Sequence, residues 1–241
     1  MLFDPLSFLL GSLLLLPAIA IAIPVHELGH GVAAHAMGDP SPRNRGYFRA
    51  SPIHLFSVYG LVAVFLANVG WGTPIPVNEY RLRGVLRKLV WVLGGPAANL
   101  VAAAILGTGY RLLEDRGFFA SLTPLQPPLN YLVDILYAAF FLNLAIFAFQ
   151  LLPVPGLDGW RVIEALFRNR NPRFFFDVTS RQQTIWIVCL IVVLVAPILL
   201  HVDILGAVVA ILFQPLSRLI TGQCGGYTTL HPCLGAALAG V

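Results

Sequence analysis

Apolar residues gather into six runs along this chain, at roughly Leu6 to Met37, Ile53 to Val69, Leu86 to Leu113, Leu129 to Leu152, Thr184 to Leu200 and Ile204 to Ile220. Polar and basic residues are left to the stretches between them. A helix needs about 20 apolar residues to cross the roughly 30 Å hydrocarbon core of a bilayer, and most of these runs qualify. The pattern predicts an all-α polytopic membrane protein. The first run has 32 residues, which is about 48 Å of α-helix at 1.5 Å per residue. It must therefore tilt, kink or protrude. Pro24 removes a backbone donor two residues before His26, which makes a kink there plausible.

The second run differs from the others. Gly60, Gly70, Gly72, Pro74 and Pro76 punctuate it, and the basic residues test whether it crosses. Arg43, Arg45 and Arg49 follow the first run, and Arg81, Arg83, Arg87 and Lys88 follow the second. If the second run does not cross, 13 of the 15 basic residues fall on one side; that side is the cytosol by the excess of Lys and Arg in cytoplasmic loops. The remaining two, Arg111 and Arg116, share a nearly neutral loop with Glu114 and Asp115. The stretch Ile53 to Trp71 is therefore expected to be a re-entrant or β-hairpin element. That leaves about five transmembrane helices, and the carboxyl end of the first faces the cytosol.

Composition sharpens this reading. Of 241 residues, 58% are hydrophobic and 11% charged, against about 25% charged in soluble domains. No polar stretch is long enough for an independent soluble module. One integral membrane domain is expected over 1–221, with a core at about 20–170 and a helix pair at 184–220. Residues 222–241 form a short tail without a readable role. The net charge of +4 does not call for a nucleic-acid partner, because the basic residues belong to the loops and the topology; the partner implied is the lipid bilayer. Cys189, Cys224 and Cys233 form no CxxC pair, so no disulfide or cysteine-bound metal is expected. Asp4 stands where a secretory signal carries a basic residue, so the first run is read as an uncleaved helix.

Chemistry enters at His26-Glu27-Leu28-Gly29-His30, an HExxH inside the longest apolar run. Histidines at i and i+4 share a helix face one turn apart, so both imidazoles can reach one Zn²⁺. The intervening Glu27 can take a proton from water acidified by the metal. Ionisable residues are costly in a membrane span and mark functional sites there. A catalytic zinc site has three protein ligands and an open position, so a third ligand is required. Asp134, Asp158, Glu164 and Asp203 are the acidic candidates outside the flanking loops, beside His35, His54, His201 and His231. Asp158 stands out. It follows Leu151-Leu152-Pro153-Val154-Pro155-Gly156-Leu157, whose prolines and glycine break a helix on the same side of the bilayer as the two histidines. A cap for the helix beginning at Gly159 is the competing role for this Asp.

Together these segments resemble the site-2 proteases of peptidase family M50. HELGH at 26–30 is followed by Gly38-Asp39-Pro40, and then by Gly70-Trp71-Gly72-Thr73-Pro74-Ile75-Pro76-Val77-Asn78, which is similar to the family's GWxKPVPVN. Next come Gly95-Pro96-Ala97-Ala98-Asn99, similar to GPxxN, and Leu151 to Gly159, similar to LLPxPPLDG, all in the family's order. The resemblance implies a three-helix catalytic core, one zinc ion per chain held by His26, His30 and Asp158, and Glu27 as catalytic base. It implies an intramembrane endopeptidase of the bacterial cell membrane, active towards the cytosolic side. Its substrates would be membrane-anchored regulators such as anti-sigma factors. The form is short, without the PDZ or CBS insertions of some relatives.

Asn99, Asn143, Gln150 and His54 are candidate contacts to substrate or oxyanion. Asn99 could equally orient a ligand or bond a neighbouring helix. Gln150 stands where the family has Asn, and Phe56 stands where a family acid would accompany His54. Two rival functions remain: a catalytically silent membrane protein that binds single-span partners, and a metal transporter.

Overall fold

A computed structural model describes residues 5–48, 55, 57, 72–115, 127–200 and 204–222. The described chain is helical: α1 (Pro5–Ala36), α2 (Ser41–Asn44), α3 (Val85–Asp115), α4 (Pro127–Gln150), α5 (Asp158–Phe167), α6 (Pro172–Ser180), α7 (Gln182–Leu200) and α8 (Ile204–Thr221). Three stretches are long and apolar enough to cross a membrane: Leu15–Ala36, Val85–Leu113 and Val133–Gln150. The last two predicted runs are α7 and α8; the apolar part of α8, Leu205–Thr221, is shorter than the three spans. Among the described residues no strand forms. Most of the expected re-entrant or hairpin element, including His54, lies outside them. One trace of non-local pairing is present at its edge, where the Thr73 N–H donates to the Leu55 carbonyl at 2.8 Å.

The three spans pack on one another, α3 against both α1 and α4, and α1 against α4. In lipid there is little hydrophobic drive for helices to associate, so close approach over small residues matters. That is how α1 meets α3. A Cβ on Gly29 would lie 2.6 Å from the Ala98 Cβ, and one on Gly94 would lie 2.6 Å from the Ala33 Cβ. Between α1 and α4 the contact is Ala18 against Ala138 and Ala139. Larger side chains fill the space between α3, α4 and α8, where Phe140, Leu144 and Phe213 are buried with Ala103.

The outside is apolar and the inside holds polar groups. Val32, Val101, Ile105 and Leu112 are more than half exposed, whereas His26, His30, Asn99, Asn143 and Asp158 are buried. A soluble domain would not leave such a contiguous apolar exterior; a lipid-facing one does. The chain is a multi-pass membrane protein.

Candidate metal centre and family

His26 and His30 face the middle of the bundle because α1 continues through Pro24 as one helix. The approach of α3 is set by Gly95: a Cβ there would fall 2.7 Å from His30 Cε1 and 2.8 Å from His26 Cε1. Only glycine lets the α3 backbone lie beside both imidazoles. Asp158 reaches the same point from another direction. Helix α4 ends at Gln150, Gly156 turns with φ +101°, and α5 starts at Asp158. Gly159 lets this turn fold back on the end of α4, since a Cβ there would lie 2.5 Å from the Leu152 carbonyl oxygen. Asp158 is the first residue of α5, and the N-cap position before it is Leu157. The Asp158 carboxylate points at the histidines.

Three electron-pair donors converge. His26 Nε2 lies 3.2 Å from His30 Nε2, and Asp158 Oδ2 lies 3.2 Å from the first and 3.1 Å from the second. The other ring nitrogens fix the proton positions. His30 Nδ1 is 3.0 Å from the Trp91 carbonyl, which can only accept, so the proton is on Nδ1. For His26 the logic runs through two amides. Asn143 Nδ2 donates to the Ala139 carbonyl at 2.8 Å, which turns its Oδ1 to Asn99. Asn99 Nδ2 donates to that oxygen at 2.8 Å and to the Ala22 carbonyl at 3.0 Å. Asn99 Oδ1 is thereby left to accept from His26 Nδ1 at 2.7 Å. In neutral imidazoles both Nε2 atoms then carry lone pairs towards each other and towards a carboxylate oxygen that is buried without a hydrogen-bond partner.

Such a cluster requires positive charge at its centre, from protons on the imidazoles or from a bound cation. Its edges match one: ligand bonds of about 2.0–2.1 Å at tetrahedral angles give ligand-to-ligand distances of about 3.3–3.4 Å. His26, His30 and Asp158 could hold a metal ion.

Glu27 is half-buried beside this group. Its Oε2 accepts the Ile75 N–H at 3.1 Å, so the segment 73–78 is docked on it. A Cβ on Gly72 would meet the Ile23 Cγ2 at 2.5 Å, which shows how close the segment runs to α1. Asp39 ties down its far end. This buried carboxylate accepts the Ser41 Oγ–H at 2.6 Å, the Ser41 N–H at 3.1 Å and the Asn78 N–H at 2.7 Å.

Searches against known proteins then decide the family. The chain is 34% identical over 168 residues to a Bacillus subtilis protein described as "Putative zinc metalloprotease YwhC", a match spanning 66% of this chain and 73% of that protein. The chain belongs to the site-2 protease family of zinc metalloproteases. "Putative zinc metalloprotease Rip2" of Mycobacterium tuberculosis H37Rv is 31% identical over 176 residues, 70% of this chain and 63% of its own length. The Mycolicibacterium smegmatis Rip2 is 29% identical over 174 residues, 66% of this chain and 60% of its own length. The chain matches no family model and no solved structure.

In this site-2 protease the side chains singled out from sequence divide into three groups. His26, Glu27, His30 and Asp158 come together. Asn99 and Asn143 join them from behind: both are fully buried, and both Asn99 amide hydrogens are used on protein acceptors. Gln150 is the last residue of α4, half-buried, with no hydrogen-bond partner among the described residues. The Trp91 carbonyl, the Ile75 N–H and the Asp39 cluster are not legible as site features in the sequence. Two are backbone groups, and the only signals were the Gly38-Asp39-Pro40 and Pro76-Val77-Asn78 segments.

Proposed function

We propose that this site-2 protease is an intramembrane zinc endopeptidase that hydrolyses a peptide bond in or near a transmembrane segment of a membrane-anchored protein. The observation that carries the reading is the convergence of His26 Nε2, His30 Nε2 and Asp158 Oδ2, 3.1–3.2 Å apart, inside a bundle of apolar spans. His26, His30 and Asp158 would hold one zinc ion. When bound, zinc supplies Lewis acidity, polarising a carbonyl and lowering the pKa of water towards about 7. Glu27 is the general base. Its tether to Ile75 through Oε2 leaves Oε1 to take the proton from the attacking water and return it to the leaving amine. Asn99 and Trp91 hold the two imidazoles in the tautomer that offers Nε2.

The substrate helix unwinds before cleavage, because its carbonyls are otherwise engaged in intrahelical bonds. Substrates of this kind are single-span regulators such as anti-sigma factors. The basic residues after α1 and α5 favour a bacterial cell membrane orientation in which the site opens to the cytosol, with α7 and α8 as the fourth and fifth spans. The test is cleavage of a tagged single-span substrate by purified protein, wild type beside Glu27→Gln, with bound zinc measured in both. Cleavage lost with zinc retained is the expected result. Equal cleavage by the two proteins would remove Glu27 from the chemistry.

A further inference from the structure

Two adjoining cavities, of about 450 and 750 Å³, form one groove beside the metal cluster. They share Glu79, Tyr80, Lys88 and Arg168. Arg83 and Arg161 complete the cationic lining of the first, and Arg45 that of the second. Glu164 binds Arg168 at 2.9 Å and Asp158 pairs with Arg161 at 3.9 Å, which leaves Arg45, Arg83 and Lys88 against Glu79 alone, an excess of two positive charges. Among the described residues, Arg45, Arg83 and Lys88 have no carboxylate within ion-pair distance. The groove's inner end reaches the metal cluster through two of its lining residues. Arg161 lies over the Trp91 ring at 5.8 Å and 3.9 Å from Asp158 Oδ1, and the Trp91 carbonyl holds His30. Its outer rim follows Pro76, Val77 and Asn78, the end of the segment docked on Glu27.

We infer that this groove receives the cytosolic flank of the substrate as an extended acidic peptide. The inference rests on the protease reading, because a chain cut at the metal centre must continue past it towards the cytosol. Cytosolic flanks of single-span proteins are ordinarily basic. Two uncompensated positive charges repel such a flank and attract an acidic one, so the groove rejects the common class and admits a rare one. A peptide fits better than a lipid headgroup. The lining runs along residues 76–80, carries Tyr80 and Trp91 for side-chain contacts, and holds Glu79 where the two cavities meet, where a phosphate would be repelled.

The experiment uses one transmembrane substrate with six-residue acidic, neutral or basic cytosolic flanks, in zwitterionic nanodiscs, with wild type and the double variant Arg83→Glu/Lys88→Glu. Wild type is expected to favour the acidic over the basic flank by about tenfold or more in kcat/KM at low salt, shrinking as salt screens the groove. The double variant should reverse the order. Equal cleavage of all flanks, or a preference untouched by charge reversal, overturns the inference. If no substrate is cleaved, the protease reading fails. In that case the anisotropy of labelled acidic and basic peptides on zinc-loaded Glu27→Gln still decides the groove: tighter acidic binding that Arg83→Glu/Lys88→Glu abolishes supports it, and equal binding overturns it. Absence of flank preference, together with anionic lipid co-purifying with wild type and not with the double variant, would assign the groove to headgroups and also overturn it.

Discussion

Replacing Asn99 with Leu tests whether a buried amide sets the metal's affinity. The substitution keeps the volume and deletes three hydrogen bonds, to His26, Ala22 and Asn143. Ala22 keeps its helical bond, so two groups are orphaned: His26 Nδ1–H and Asn143 Oδ1. At about 1–3 kcal/mol for each buried unsatisfied group the fold would lose about 2–6 kcal/mol. Interhelical bonds in membrane proteins average only about 0.6 kcal/mol, so three of them would cost about 2 kcal/mol, and the lower end is the better guide. The effect on the metal is separate. With its Nδ1 unheld, the His26 ring rotates and exchanges tautomers, and loss of such a partner weakens metal binding about 10–100-fold, or about 1.4–2.8 kcal/mol. Competition against a chromophoric chelator in detergent measures this, and the visible spectrum of the cobalt-substituted protein reports the ligand geometry. Asn143→Leu is the graded control. It leaves Asn99 bonded to His26 and removes only the pin that orients it, so its loss should be under about tenfold. Zinc affinity unchanged in folded Asn99→Leu would refute the orienting role. Equal losses in the two variants would point to helix packing instead.

Gly95→Ala places a methyl group 2.7 and 2.8 Å from the Cε1 atoms of His30 and His26; we expect at least a tenfold loss of zinc affinity with helical content retained, measured by the same competition and by circular dichroism. Removing zinc with a chelator should lower the thermal midpoint, since the ion joins α1 to α5, and this shift should vanish in Asp158→Ala. Asp39 adds a pH dependence. Burial would raise its carboxyl, but hydrogen bonds from Ser41 and the Asn78 N–H, with the Arg81 charge, hold it below its ordinary value. A depressed folded-state pKa contributes stability above the unfolded value of about 4, which is lost as pH falls through the folded value. The wild-type midpoint should therefore drop more steeply below about pH 4 than that of Asp39→Asn, which at pH 7 is expected to be about 1–2 kcal/mol less stable; parallel profiles would contradict the role given to Asp39.

Much of this architecture was legible before any coordinates. The three long spans follow from run length alone, because a bilayer imposes one dimension on every crossing helix, and HELGH carries its geometry in its spacing. Asp158 was harder. The chain break preceding it is visible in the prolines and glycines, but the direction of its side chain depends on how Gly159 packs on Leu152. Asn99 and Asn143 could be recognised as costly in lipid, yet their pairing across α3 and α4 fixes a tautomer, and that depends on which atom faces which. Backbone donors and acceptors such as the Ile75 N–H and the Trp91 carbonyl leave no mark in a sequence, because every residue possesses them.

The three convergent donors are far apart in the order of synthesis: His26 and His30 precede Asp158 by more than a hundred residues. A growing chain inserts HExxH into the membrane with only two ligands, while α3, α4 and the turn that aims Asp158 are still unmade. Two histidines alone hold zinc weakly, so the nascent enzyme passes through the crowded insertion machinery without a formed catalytic centre. Proteolytic competence arrives late, when α5 closes against the bundle, and the last ligand made serves as the check that the whole core has been assembled.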